Sequence, residues 1–207
     1  MLKVKSDIES LGRRCIFIEA DLSRAAAGQE CVEQTVNDFG GIDVLVHSAG
    51  SIKRGSLLEV SPEDWHSAFD VHVHAVFYLC RAAVPYMKRK RQGAIILVSS
   101  SGGLRGCAGA IAYSVAKGSL PQFVRSLARE LANDNIHVNA VAPGIIRTRL
   151  QDILTPEQAK NNLDHRIPLH REGTPADVAR VITTLVTNEF ITGETVTIDG
   201  GMSMRMV

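Results

Sequence analysis

The stretch GAIILVSSS (residues 93–101) runs through five apolar residues without a polar break and then ends in three serines. A run this short, rich in isoleucine and closed by small polar residues, reads as a strand buried on both faces. Four other stretches have the same form: RCIFIEA (14–20), IDVLVHSAG (42–50), IHVNAVAPG (136–144) and ETVTIDGG (194–201). Helical patterns lie between them, at about 3–11, 25–39, 62–90, 112–132 and 175–187. The third of these opens with SPED (61–64), which supplies a serine cap, a proline at the first helical position and two acids in the first turn. Strand–helix alternation with doubly apolar strands predicts an α/β protein, a doubly wound parallel sheet with helices on both faces. In such a sheet, ligands bind beyond the C-terminal ends of the strands.

Length and composition narrow the classes. At 207 residues the chain suits one domain, 1–207, with a sizeable core. A net charge of +1 gives no pull toward nucleic acid, and the basic run KRKR (88–91) reads as the cationic end of a helix. Cys15, Cys31, Cys80 and Cys107 lie far apart with no C-x-x-C pair, so neither a zinc site nor a disulfide framework is expected. MLKVKSDIESLG is no signal sequence, and no apolar run reaches membrane-spanning length. The expectation is a soluble, cytoplasmic protein without a nucleic-acid or membrane partner.

Small polar residues gather where the strands end, in HSAG (47–50), SSSGG (99–103) and APGIIRT (142–148). Each allows close backbone approach to a ligand, or simply makes a tight turn. AYSVAKGSL (112–120) then places Tyr113 four residues before Lys117, on one helix face. A cation about 4 Å from the phenol, at an effective dielectric near 20, favours the phenolate by about 4 kcal/mol. That amounts to roughly three pKa units, enough for acid–base work near neutrality.

Ser100 stands at a strand end thirteen residues before Tyr113, and with this spacing the sequence resembles the short-chain dehydrogenase/reductase family. The resemblance runs from about Asp21 to Gly201, through DLS, HSAG, VSSS, YSVAK, NAVAPGIIRT and TGETVTIDGG in the family's order. It implies a Rossmann-like, three-layer α/β/α domain that transfers a hydride between NAD or NADP and a secondary alcohol or ketone. The substrate type would be a 3-oxoacyl thioester or a sugar or polyol. Tyr113 would be the acid–base residue, and Lys117 would lower its pKa and bond the nicotinamide ribose. Ser100, with Ser101 as runner-up, would polarise the substrate oxygen. Asp21 and Leu22 would sit at the adenine, with Ser48, Ala49 and Gly50 along the adenosine. Pro143, Gly144, Ile146 and Thr148 would hold the carboxamide. A substrate lid is expected over about 147–193. A homo-oligomer, a dimer or more specifically a homotetramer, is expected through helices 62–90 and 112–132, where Phe69, Val73, Phe77 and Leu79 give an apolar surplus.

Two departures from the family stand out. DVHVHAVF (70–77) places His72 where the family has an asparagine that anchors a water beside the lysine. His72 is therefore a candidate catalytic residue that holds or relays a proton, or else a histidine that fills space. Metal binding by His66, His72 and His74 is not expected, because residues two apart do not share a helix face. Second, no G-x-x-x-G-x-G pattern opens the sequence, so the expectation is an N-terminally truncated sheet. The strand at 14–20 should then be separated by a gap from the strand at 43–47, and the printed sequence should be a piece of a longer chain. The missing turn and His72 motivate an alternative, a non-catalytic dinucleotide-sensing or interaction protein of the same fold. Intact Ser100, Tyr113 and Lys117 argue against it. A sugar-nucleotide epimerase would need a larger C-terminal substrate domain.

Overall fold

The computed structural model describes residues 2–151 and 154–204. In chain order the elements are α1 (Leu2–Ser10), α2 (Ala25–Phe39), β1 (Val44–His47), α3 (Pro62–Phe69), α4 (Ala75–Lys90), β2 (Gly93–Val98), α5 (Ser101–Arg105), α6 (Ile111–Leu131), β3 (Ile136–Pro143), α7 (Pro156–Asn161), α8 (Pro175–Thr187) and β4 (Thr195–Ile198). The strands form one parallel sheet in the order β1-β2-β3-β4. Alternate residues divide between its faces, as strand geometry requires. Leu45, Ile95, Leu97, Val138 and Ala140 join one core with α2, α4 and α6. Ile96 and Val141 point the other way and meet Leu185 of α8. The expected α/β sheet with helices on both faces is therefore present, and α8, although inside 147–193, is part of its packing.

One expected strand is not. Residues 14–20 form no strand, and none of their backbone groups bonds to β1. An apolar run becomes a strand only beside a partner that takes its N–H and C=O groups. Here Arg14 instead donates to the Asp38 carbonyl at 2.6 Å and stacks over the Phe39 ring, which draws the stretch toward the end of α2. Ile16 and Ile18 accordingly do not pair with Val44 and Val46, in line with the expected gap. The face of β1 away from α4 is open, with Val44 and Val46 each about 40% exposed.

The helix expected at 62–90 is continuous but not uniform. Ser61 caps it, accepting from the Asp64 N–H at 3.0 Å, and a π-helical turn, Asp70–His74, separates α3 from α4. Such turns insert one residue and re-aim the side chains around them. KRKR closes α4 as expected. Lys88 pairs with Asp134 at 3.0 Å, Lys90 pairs with Asp43, and Arg91 takes the left-handed cap.

Glycines set how closely α5 lies on α6. A Cβ at Gly103 would stand 2.8 Å from both the Gly118 nitrogen and the Lys117 carbonyl carbon, and one at Gly118 would stand 2.8 Å from the Gly103 oxygen. Ser114 Oγ closes the same joint by donating to the Gly102 carbonyl at 2.7 Å. Backbone cannot yield as a flexible side chain does, so Gly103→Ala should cost about 1–3 kcal/mol, the range for overpacking. Urea unfolding measures it, and an unchanged midpoint would show that the two helices are not locked here.

Candidate active site

The C-terminal ends of β1, β2 and β3 open into a cavity of about 400 Å³. The loop after β1 contributes Ser48 and Gly50 to its wall. The helices contribute His72, Tyr113 and Lys117, and the segment after β3 contributes Pro143, Gly144, Ile146 and Thr148. A second cavity, about 660 Å³, adjoins it and shares Tyr113, Gly144 and Leu150, with Ser100 and Ser101 on its wall. Tyr113 thus stands between the two. Asp21 and Leu22 line neither cavity. Asp21 accepts from the Ser23 N–H and hydroxyl at 3.1 and 2.7 Å, bonds that hold its carboxyl below the usual range, while Leu22 packs on the α2–α4–α6 core. Ala49 is exposed between two lining residues without lining the cavity itself.

Lys117 is only 4% exposed, and its Nζ donates to the Val98 carbonyl, the last of β2, at 2.6 Å. Burial pulls its pKa down to about 8. The Ser99 hydroxyl donates to the Lys117 carbonyl at 2.8 Å, a second tie between the strand end and α6. Ser100 caps α5, its Oγ accepting from the Gly102 N–H at 3.1 Å. The same hydroxyl favours the Tyr113 phenolate, but burial outweighs it and the phenol is pushed above its ordinary value. This corrects the expected lowering by Lys117. Helical spacing puts the two side chains on one face, yet the lysine stem carries its ammonium to the strand carbonyl, and desolvation then dominates at the phenol.

His72, set in the π-helical turn, is 1% exposed and packs edge-on to Tyr113, with ring centroids 5.4 Å apart. Its Nε2 lies 2.8 Å from the Ser51 carbonyl, which only a protonated Nε2 satisfies, so Nδ1 is the bare acceptor. Gly50 is required beneath it, because a Cβ there would stand 2.6 Å from His72 Cε1. Burial, then the Lys117 charge, pushes the imidazole down to about 4.

A profile of the family described as enoyl-(acyl carrier protein) reductase matches residues 2–203. The 3-oxoacyl-[acyl-carrier-protein] reductase of Thermotoga maritima is 41% identical, over 84% of this chain and 71% of that one. The Chlamydia pneumoniae protein of the same name is 34% identical, over 97% and 81%. Nodulation protein G of Rhizobium meliloti is 35% identical, over 98% and 83%. The chain belongs to the short-chain dehydrogenase/reductase family. It is a nicotinamide-dependent oxidoreductase.

In this reductase, sequence reasoning passed over His47. Its imidazole is 2% exposed at the end of β1, neither ring nitrogen has a hydrogen-bond partner among the described residues, and burial with the nearby Lys117 charge pushes it down to about 4. The signal lies in HSAG, where the resemblance assigns Ser48, Ala49 and Gly50 to the adenosine side and gives the histidine before them no role.

Two buried neutral imidazoles make this short-chain reductase sensitive to acid. Each is bare of its second proton in the folded state down to about pH 4, while an unfolded histidine takes it up near 6.5. Between those values the unfolded chain binds more protons, so stability falls as pH falls, by up to roughly 3 kcal/mol per histidine. The melting temperature should drop from pH 6.5 to 4, and His47→Asn and His72→Asn should each flatten that slope. Slopes identical to the parent's would show that neither imidazole is held neutral.

Proposed function

We propose that the chain reduces the 3-oxo group of an acyl thioester, with Tyr113 as proton donor and NADH or NADPH as hydride source. The observation that carries this is the position of Tyr113 between the two cavities, with Ser100 on one side and Lys117 on the other. Relatives named 3-oxoacyl-[acyl-carrier-protein] reductase support the substrate class. Ser48, Tyr113, Lys117, Pro143 and Thr148 line the first cavity together, a mixture of polar and apolar groups that fits a nicotinamide riboside. A cavity of about 400 Å³ lies in the usual range for small ligands, about 300–1,000 Å³. Gly144 is on its wall, and because a Cβ there would stand 2.6 Å from Asp199 Cβ, this position is packed against the loop after β4.

The nicotinamide supplies the hydride when bound. Pro143, Gly144, Ile146 and Thr148 would hold its carboxamide end, and Ser48, Ala49 and Gly50 the adenosine side. Asp21 and Leu22, which line neither cavity, would meet the adenine beyond them, as the family motif implies. Tyr113 gives its phenolic proton to the carbonyl oxygen as the carbon accepts hydride, and the product is the 3-hydroxyacyl thioester. Ser100 donates to the same oxygen and orients it. Lys117, charged below about pH 8, steadies the phenolate left behind and bonds the ribose hydroxyls. His72, whose Nδ1 has no hydrogen-bond partner among the described residues, would serve beside Tyr113 as a proton acceptor.

The excursion after β3 is pinched at its base, where Arg147 N–H donates to Gly173 and Gly173 N–H to Ile145, each at 2.9 Å. That hinge supports a substrate lid between 147 and 173, within a single domain spanning the chain. Four unpaired cysteines fit a reducing cytoplasm.

Tyr113→Phe should lower 3-oxoacyl thioester reduction by about 10²–10⁴-fold, the share that acid–base catalysis carries. Binding of NADPH, followed by fluorescence, should stay near the parent's. A variant that keeps a tenth of the activity would remove Tyr113 from the reaction.

We also propose a homotetramer. Phe77 and Val115, 46% and 45% exposed on α4 and α6, provide apolar surface for pairing these helices between copies. Light scattering at micromolar concentration should give about four chain masses, and a monomer mass would end the proposal.

A further inference from the structure

The second cavity carries an electrostatic bias that the reduction chemistry does not use. Three arginines line it: Arg54, Arg105 and Arg166. No aspartate or glutamate is among the described residues on its wall, and none of the three arginines makes an ion pair among the described residues. Three cations in one cleft of a protein whose formal net charge is +1 is a local excess.

The arginines arrive from separate elements. Arg54 precedes Gly55, whose N–H donates to the Gly109 carbonyl at 2.8 Å and whose carbonyl accepts from Ile111 at 3.4 Å, which fixes the loop against the start of α6. Arg105 ends α5, the short helix that Ser100 caps. Arg166 ends the π-helical turn Asn162–Arg166, and its Nη1 donates to Asn162 Oδ1 at 2.8 Å. Asn162 is 3% exposed, so one edge of that guanidinium is anchored to a buried amide. All three arginines are themselves exposed, so they stand at the mouth of the cavity. The same wall carries apolar side chains at Ile52, Ile145, Leu150 and Met202.

We infer that Arg54, Arg105 and Arg166 form an anion subsite in the substrate cavity, selecting a carbonyl substrate that carries a phosphate or carboxylate beyond a short apolar span. The inference rests on the reading of Tyr113 and Ser100 as the reacting end of that cavity. Guanidinium groups suit it because their planar donors match both oxyanions and they stay charged at every working pH. A convergent cationic cleft also concentrates anions and loses that advantage as salt rises.

The test compares three thioesters of one acyl length: acetoacetyl-4′-phosphopantetheine, acetoacetyl-pantetheine, and a pantetheine thioester of a 3-oxo acid ending in a carboxylate. Each charge-assisted hydrogen bond to an anion corresponds to about tenfold in affinity. The parent should prefer one anionic substrate over the neutral one by about tenfold or more in kcat/KM at low salt, and the preferred one identifies phosphate or carboxylate. The triple variant Arg54→Gln, Arg105→Gln, Arg166→Gln should bring that ratio near one, while Arg129→Gln on the exposed face of α6 should leave it unchanged. Equal kcat/KM for charged and neutral substrates in the parent, or a ratio that survives the triple variant, overturns the subsite. If no thioester is reduced, the reaction reading fails by itself, and calorimetry of 4′-phosphopantetheine, pantetheine and the carboxylate thioester then decides. A tighter anionic ligand in the parent only sustains the subsite, and equal binding in parent and triple variant overturns it.

Discussion

Lys117 carries an ammonium into a place that is 4% exposed and gives it to the last carbonyl of β2 at 2.6 Å. Taking a charge out of water costs several kcal/mol unless strong acceptors replace the water. The carbonyl at a strand's C-terminal end is such an acceptor, because the chain turns away there and the ladder no longer uses it. Together with the Ser99 hydroxyl on the Lys117 carbonyl, this bond prevents α6 from sliding along β2. Tyr113, one turn earlier, is thereby held at a fixed height over the sheet edge. The Gly103–Gly118 approach then brings α5, and the Ser100 that caps it, to the other side of the phenol.

The same burial sorts the charges around the lysine. Three basic groups lie close together, and only one can be a cation at neutral pH without severe repulsion. Lys117 keeps its proton to about pH 8, while His47 and His72 are pushed to about 4 and remain neutral. The result is one positive charge flanked by two imidazole dipoles. The π-helical turn contributes here, because its extra residue turns His72 inward onto Ser51 and Tyr113. A regular helix through 62–90 would have presented a different edge.

Periodicity carried the strands from 42 onward because each is both apolar and flanked by a partner strand, so pattern and pairing agree. RCIFIEA has the pattern without the pairing, and a one-dimensional pattern cannot say whether a neighbour is there. Spacing placed Tyr113 and Lys117 on one helix face but could not say where a four-carbon stem ends, and the sign of the phenol's shift depended on that. Asp21 and Leu22 came from motif order, and the structure puts one in a turn with Ser23 and the other in the core. Arg54, Arg105 and Arg166 are spread over more than half the chain, so their meeting in one cavity is a property of the fold alone.

Burial raises the Tyr113 phenol above its ordinary pKa. Near neutrality burial keeps Tyr113 protonated, the form that gives a proton to a forming alkoxide. Alcohol oxidation needs the phenolate instead, and desolvation makes that form scarce. Ser100 offsets part of the cost through its hydrogen bond. In the proposed reaction Tyr113 would therefore start as the acid, with its conjugate base formed only as the proton leaves. Burial, the same effect that holds α6 against the sheet, keeps the phenol in its protonated form.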